Sequence, residues 1–461
     1  MNYDVVIVGA GIAGLYSAYR LLQSNPSLRL LIVEKSSLLG GRVHSIQDAS
    51  GRWQELGAYR ISPDIHPQFL NLAHELGYRF PQDFEYLDQE KKQYALRQPY
   101  RKGHTNLSQQ IDNYDLPWYD RWILKLFGES VFSIIVHSSK WVRSIAPKKV
   151  LQKYSLADAM KHLLGFSDEM IRFIDDAIGY YTLNNLNAWD ALQESVVMGP
   201  PRGFYRFKPG LTAIIHRLAD FIVSHPNAKI QLNTQLTQLS KINAEYYELS
   251  TRSIEQKAQS NWFCGTQTEQ ENSFPGMQIQ AKCVILAVPQ VSLQILFPQF
   301  PMWNTVTSNA LMRLFVGFPT RWFPWRNNTF VMSSSPIRQF FPINLSSNIM
   351  EIYADNDVAL FWHKHVQQDT IKEAIQRELQ KVFVDYSVPL PSFVITDFCP
   401  HASHSWKAKV DSQSMSKRIR HPFPEENIWV VGEAFAPKFQ GWLSGSLISV
   451  DLFIREWTKY H

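Results

Sequence analysis

Tyr3-Asp4-Val5-Val6-Ile7-Val8-Gly9-Ala10-Gly11-Ile12-Ala13-Gly14 is the stretch whose reading decides the fold. Tyr3 to Val8 is short, continuous and β-branched, the pattern of a buried parallel strand. Gly9 to Gly14 follows at once and spells G-x-G-x-x-G. Leu15, Ala18, Tyr19 and Leu22 then recur at helical spacing to about Gln23. Leu28 to Val33 forms a second strand and ends in Glu34, 20 positions after Gly14. Strand, glycine turn, helix, strand and acid stand in the register of a dinucleotide-binding βαβ unit. Gly9 permits the tight turn, Gly11 lets a pyrophosphate approach the backbone, and Gly14 lets helix and strand pack closely. Ala10 lies within this turn, and the helix start offers free N–H groups to phosphates. Glu34 is placed to accept from a ribose hydroxyl.

The next residues extend the pocket. Glu34-Lys35 leads into Gly40-Gly41-Arg42, where two glycines let the chain fold around a ligand and Arg42 supplies donors suited to phosphate oxygens. An ordinary surface turn is the competing reading of Gly-Gly-Arg. Further on come Glu55-Leu56-Gly57-Ala58-Tyr59-Arg60, then Ile61, Pro63 and His66. The guanidinium of Arg60 is a planar match for a carboxylate, although on the residues alone a surface arginine pairing with a local acid such as Asp64 is the better reading.

Composition bounds the rest. A chain of 461 residues suggests two or three domains. With 45% hydrophobic and 19% charged residues it is a folding sequence, which excludes disorder as the dominant state. Lys plus Arg number 46 and Asp plus Glu 41, a net charge of +5 that gives no reason to expect nucleic acid. Cys264, Cys283 and Cys399 show no C-x-x-C spacing, which argues against a disulfide framework or a cysteine zinc site and suits a reducing compartment. No signal-like segment precedes Val5, and no apolar run approaches about 18 residues, so a cytoplasmic protein without a membrane span is expected.

Glu-Lys-x-x-x-x-Gly-Gly-Arg after the βαβ unit resembles the flavin-containing amine oxidase superfamily. The Glu55–His66 run is similar to the E-x-G-A-M-R-x-P-x-x-H run of L-amino acid oxidases and tryptophan 2-monooxygenase, with Tyr59 in place of the methionine. The resemblance implies an α/β protein. Its parts would be a Rossmann-type FAD-binding domain of the amine oxidase and glutathione reductase kind, a mixed-sheet substrate domain and an inserted helical region. It further implies that Gly57, Ala58, Tyr59 and Arg60 lie along the flavin and that Arg60 binds the substrate α-carboxylate. Residues 1–65, 205–290 and 422–461 would form the FAD domain, 66–106 and 291–421 the substrate domain, and 107–204 the helical insertion.

Within the insertion, Trp118 through Ile135 and Ser155 through Ile178 carry helical spacing, and Ser155-Leu156-Ala157-Asp158 resembles a capped start. Tyr180, Tyr181 and Trp189 are read as core. Phe207-Lys208-Pro209-Gly210-Leu211 opens a helix, and Ala228 to Leu239 alternates like a strand. By resemblance, the backbone of Leu236 contacts the adenine. Glu255 to Gly276 is polar and reads as a surface loop or hairpin extension, and Ala281 to Pro289 as a buried strand.

Met312 to Phe318 reads as a strand. Many relatives carry a lysine there that holds a water near flavin N5, and Arg313 is the matching residue. An arginine keeps the charge but cannot act as a neutral base, and a solvent-facing arginine is an equal alternative. Ile337–Pro342 and Ile349–Tyr353 look like neighbouring strands. Relatives face the substrate with an aromatic from the first, which Phe340 or Phe341 supplies, only one of them pointing inward. Ser405-Trp406 falls where relatives carry a flavin-proximal tryptophan; no cysteine follows, so the FAD would be non-covalent.

Ile428 to Val431 forms a strand followed by Gly432-Glu433-Ala434, then Gln440-Gly441-Trp442-Leu443-Ser444-Gly445-Ser446 and a helix. This resembles the superfamily's G-E … G-W/Y-x-x-G-A signature, with Ser446 for the alanine. Glu433 would hold the ribityl chain or a bridging group near the pyrophosphate, the helix start near Trp442 and Leu443 would face the flavin carbonyls, and Trp442 would wall an aromatic slot. The function implied is oxidation of an L-amino acid by hydride transfer to the flavin, with O2 as second substrate. A decarboxylating monooxygenase, an amine or polyamine oxidase and a non-catalytic FAD scaffold are the alternatives. Relatives are often homodimers.

Overall fold

A computed structural model describes residues 2–47, 51–87, 91–127, 141–142, 144–179, 186–193, 202–255, 272–323, 329–344 and 348–459. Two sheets organise it. The first runs β8 (Ala228–Gln231), β2 (Leu30–Val33), β1 (Asn2–Val8), β11 (Asn272–Leu286), β10 (Tyr247–Glu255), β9 (Thr234–Lys241), and β17 (Ile428–Val430) also pairs with β11. β8, β2, β1, β11 and β17 pair in parallel, whereas β10 runs antiparallel to both β11 and β9.

The apolar run of β1 is explained by burial on both faces. Val5 and Ile7 pack with the helices Ile12–Ser24, Thr212–Val223 and Leu443–Trp457, while Val6 and Val8 face a second core with Leu31, Val33 and Leu236. Strands from the beginning, middle and last part of the sequence thus share one sheet. Of the polar stretch expected as a surface loop or hairpin extension, Asn272 to Gly276 belong to β11 and extend its antiparallel pairing with β10, and residues 256–271 lie outside the described set.

The second sheet runs β16 (Phe393–Trp406), β12 (Val306–Gly317), β15 (Ile349–Asp355), β14 (Gln339–Asn344), β13 (Thr329–Ser333), β6 (Lys91–Ala95). Every pairing is antiparallel except that of β13 with β6. Side chains alternate across it. Met312, Leu314, Val316, Phe340, Met350 and Ile352 pack with the helices Asn356–Gln367 and Ile371–Val382. Arg313, Glu351 and Phe341, one residue out of step, take the opposite face, which approaches the nucleotide-binding half.

Two short ladders bridge these bodies: β3 (Ser45–Gln47) with β4 (Trp53–Glu55), and β5 (Phe84–Leu87) with β7 (Phe204–Phe207). The expected helical stretch after Ser155 is two helices, Leu156–Leu164 and Asp168–Ile178, broken at Gly165, which takes φ +72°. Ser155 and Ser167 cap them by accepting the Asp158 and Met170 N–H groups. Trp118–Phe127 is helical, residues 128–140 lie outside the described set, and so do Tyr180 and Tyr181. No described helix is long and apolar enough to cross a membrane.

Cys283 is a free, buried thiol on β11, pushed above the ordinary range by burial. Cys399 on β16 is disulfide-bonded. The expectation drawn from spacing that the cysteines would not pair is corrected accordingly.

Candidate cofactor and substrate site

Gly9 leaves β1 with φ +104°, and a Cβ there would sit 2.5 Å from the Ala287 carbonyl oxygen. A Cβ on Gly14 would stand 2.0 Å from the Gly9 oxygen. Neither position tolerates a side chain, because strand and helix meet there. Gly11 differs: its nearest neighbour in the Cβ direction is the Gly40 oxygen at 3.9 Å. The protein itself does not demand a glycine at 11; the open space beside it suits a ligand pressed onto the backbone. The helix that begins at Ile12 has no side-chain cap and no acid in its first turn, leaving its dipole for an anion. These features fit a dinucleotide pyrophosphate.

Glu34 closes the turn from the side. Its carboxylate accepts from the Ala10 N–H at 2.7 Å and the Ser36 N–H at 2.8 Å, while burial pushes its pKa upward. Lys35 lies beside it and lowers that pKa by its charge. β9 begins where β2 ends, with the Thr234 N–H donating to the Glu34 carbonyl at 2.7 Å. Leu236, two residues on, is buried under this end of the sheet.

The Gly-Gly-Arg turn is stitched to Glu55–Arg60. The Gly40 N–H donates to the Ala10 carbonyl, and the Ala58 N–H to the Arg42 carbonyl. A Cβ on Gly57 would lie 2.0 Å from the Arg42 oxygen, so glycine alone allows this approach. Gly41 takes φ +59° against the Gly11 Cα.

Arg42 does not lie loose on the surface. One of its terminal nitrogens ion-pairs with Glu433 and donates to the Ala402 carbonyl at 3.0 Å. Glu433 is buried, and its second oxygen accepts the Gly441 N–H at 2.8 Å. Arg42 and His404 together hold the Glu433 carboxyl far below the ordinary carboxylate range. Glu433 thus fastens one glycine turn to the other through both oxygens, and the oxygen that accepts from Gly441 retains a lone pair for a further donor. Gly432 takes φ +129° with nothing near its Cβ direction. The helix from Leu443 starts at Trp442 without a side-chain cap or an early acid.

Aromatic rings gather beside this cradle. Trp442 lies parallel to Phe204, with centroids 6.0 Å apart and an interplanar angle of 3°. The Arg60 guanidinium carbon sits 5.6 Å from the Phe204 centroid and 5.8 Å from that of Phe330. Phe330 stacks on Phe341 at 4.1 Å. The His66 ring also packs against Trp442, with centroids 5.3 Å apart and the rings tilted by 57°. Phe341, not Phe340, belongs to this group. Phe340 is fully buried between Trp322 and Phe383 on the helix-covered face of the sheet, which corrects its assignment as a substrate contact.

Arg313 does not face solvent. Its guanidinium pairs with both oxygens of Glu351, at 2.6 and 3.0 Å, and donates to the carbonyls of Glu55 and Gly57. Tyr59 lies 6.0 Å from it, ring centroid to guanidinium carbon. Arg313, placed by resemblance where many relatives carry a lysine, directs two of its hydrogen bonds at the segment that carries Arg60. Asp397 shares this pocket, and burial pushes its pKa up to about 8. Glu55 is raised to about 7 by burial.

Phe204, Phe330, Glu351 and His404 escaped the sequence reading. Phe204 and Phe330 sit in apolar strands with no local mark of function. The His401-Ala402-Ser403-His404 run at the end of β16 was the one available signal.

A two-sheet α/β protein with a glycine-lined nucleotide cradle opening on an aromatic slot defines a flavoprotein class. The model for flavin containing amine oxidoreductases matches residues 12–449, and this chain belongs to that family. Membership implies a flavin cofactor and a small-molecule substrate. The chain is 21% identical to the uncharacterized protein R188 of Acanthamoeba polyphaga mimivirus, over 98% of this chain and 93% of that one. It is 30% identical to the L-amino-acid oxidase of Siganus canaliculatus over 39% of this chain and 34% of that enzyme. Among solved structures, a putative protoporphyrinogen oxidase from Exiguobacterium sp. 255-15 superposes with a TM-score of 0.66 at 15% identity, covering 99% of each chain. That likeness is one of fold.

Proposed function

We propose that this protein is an FAD-dependent oxidase of an L-amino acid. The observation that carries the reading is Arg60 flanked by Phe204 and Phe330, with Phe204 parallel to Trp442 beside the cofactor cradle. A guanidinium between aromatic faces is oriented for bidentate contact with a carboxylate. An amine substrate has no carboxylate and gives such a residue nothing to bind.

Gly9, Gly11 and Gly14 would hold the pyrophosphate of FAD, Glu34 and Leu236 its adenosine end, and Gly57 to Arg60, Gly441 and Trp442 its ring end. Cys283 is buried within β11 and Cys399 is disulfide-bonded, so neither offers a thiol to the ring, which supports non-covalent FAD. When bound, the flavin accepts the α-hydrogen with its electron pair. Arg60 fixes the carboxylate, and Trp442 and Phe341 confine the side chain, so that the α C–H is oriented by position. The amine nitrogen loses a proton as the C=N bond forms; water then hydrolyses the imine to a 2-oxo acid and ammonia. O2 takes up two electrons and two protons and leaves as H2O2.

The test is the absorption spectrum of the purified protein, followed by anaerobic titration with L-amino acids and with amines. L-amino acids should bleach the flavin band. Arg60→Met should weaken amino acid binding about 10–100-fold, the worth of a charged hydrogen-bond pair. Bleaching by amines alone, indifferent to Arg60→Met, would overturn the reading.

A further inference from the structure

The helix Trp118–Phe127 buries one side and leaves the other bare. Ile123 and Leu124 enter the core of the helical region, and Asp120 is buried, accepting a hydrogen bond from the Ser167 hydroxyl. Trp118, Trp122, Lys125 and Leu126 stand at i, i+4, i+7 and i+8, so they share the opposite side. Trp118 is 79% exposed, Trp122 59% and Leu126 56%, with the exposed Tyr119 at their edge. Val142 and Ala146 enter the same core as Ile123 and Leu124, while Trp141 and Ile145, again four apart, are left exposed. Every exposed tryptophan among the described residues belongs to these two segments. Large apolar side chains gathered in this way mark a surface that meets something other than water.

Charge identifies what it meets. Residues 118–153 contain seven Lys or Arg against two Asp or Glu, a net +5 that equals the charge of the whole chain, so the remainder is neutral. One of those two acids, Asp120, is buried. Lys125 lies on the bare side of the helix, and Lys149 and Lys153 are exposed just beyond Ile145. A second copy of this chain seated here would set one +5 region against another. An anionic bilayer answers both features: its interface accepts Trp and Tyr rings at headgroup level, and its negative surface attracts the lysines around them. A helix of 10 residues, about 15 Å long, is too short to cross and would lie in the plane of that interface.

We propose that the face carrying Trp118, Tyr119, Trp122, Leu126, Trp141 and Ile145 docks this protein onto an anionic lipid surface, as a peripheral contact without a membrane span. The contact requires neither flavin nor substrate and stands apart from the proposed activity.

The test is co-sedimentation of the full chain with vesicles of phosphatidylcholine alone and of phosphatidylcholine mixed with phosphatidylserine. Wild-type protein should bind the mixed vesicles, and bind the neutral ones far more weakly. Each basic residue beside such a surface is worth about fivefold, so Lys125→Gln/Lys149→Gln should weaken binding about 25-fold, and added salt should weaken it further. Trp118→Ser/Trp122→Ser should weaken it about 100-fold, at about tenfold for each large apolar side chain taken out of water. Both tryptophans are exposed, so the melting temperature of this variant should stay at the wild-type value, which separates lost docking from lost fold. No binding to the mixed vesicles, equal binding to both kinds, or binding unchanged in Trp118→Ser/Trp122→Ser would overturn the proposal. So would a wild-type dimer in light scattering that the same double variant turns into a monomer, since a second copy would then cover this face.

Discussion

Replacing Arg313 by methionine removes one charge and leaves its surroundings in place. Arg313 and Glu351 are both about 95% buried, with side-chain exposures of 5% and 4%. Deleting one partner of a buried pair typically costs about 3–5 kcal/mol, because the remaining charge has no water to turn to. The Glu55 and Gly57 carbonyls lose donors in the same step. Unfolding entropy near roughly 2.1 cal/mol/K per residue, over 461 residues, amounts to about 1 kcal/mol/K for one cooperative transition. The melting temperature should therefore fall by about 3–5 °C. Differential scanning fluorimetry of the apoprotein measures this without any cofactor. The double variant Arg313→Met/Glu351→Leu should recover much of the loss, since two apolar groups need no mutual charge. A fall under about 1 °C, or a double variant less stable than Arg313→Met, would refute the claim that this pair locks the Arg60 segment to the second sheet.

Burial pushes the Asp397 pKa up to about 8, well above the ordinary carboxylate range, so the folded state binds the extra proton. Its contribution to stability is greatest at low pH and is lost as pH rises from about 4 towards 8. Asp397→Asn should flatten that slope and stabilise the protein at pH 8 and above, as urea titrations at several pH values would show. Glu433 shows the opposite sign: its depressed pKa contributes stability above the unfolded value near 4.5 that is lost on acidification, so Glu433→Gln should weaken FAD retention most clearly at neutral pH. Gly14→Ala should abolish FAD uptake, because its Cβ would fall 2.0 Å from the Gly9 oxygen; yellow protein from this variant would contradict the packing described. Phe340→Ala should cost about 3–5 kcal/mol of stability, the usual price for an aromatic removed from a core, whereas Phe341→Leu should act chiefly on KM. Thermal melts and steady-state kinetics would separate the two.

The sequence made the nucleotide cradle legible because its signals are local. Gly9, Gly11, Gly14 and Glu34 act within one strand–helix–strand unit, and each needs a backbone shape that few residues permit. The Glu55–Arg60 run and the Gly432–Leu443 segment were similarly local. What escaped depends on contacts between distant residues. Phe340 and Phe341 are identical in type, and only the packing of Trp322 and Phe383 fixes which one faces the helices. Arg313 meets Glu351 on the neighbouring strand and a carbonyl at Glu55, and nothing near position 313 announces either. His404 is defined by Glu433, reached across two separate elements. The disulfide at Cys399 shows the same limit, since spacing alone gave no hint of pairing.

The sheet that carries Gly9 is completed by a strand at Ile428–Val430, and the helix covering it ends at Trp457. A ribosome adding about 5–20 residues per second would need roughly 20–90 s to produce these last pieces after the first glycine turn emerges. The apolar face of the helix Ile12–Ser24 awaits its last partner throughout that interval, and the flank of β11 that takes Ile428–Val430 waits from the time Asn272–Leu286 is made. Newborn chains are thus vulnerable to clumping at that stage, and slow translation or a stall before position 428 should be more harmful to yield than one in the outer helices.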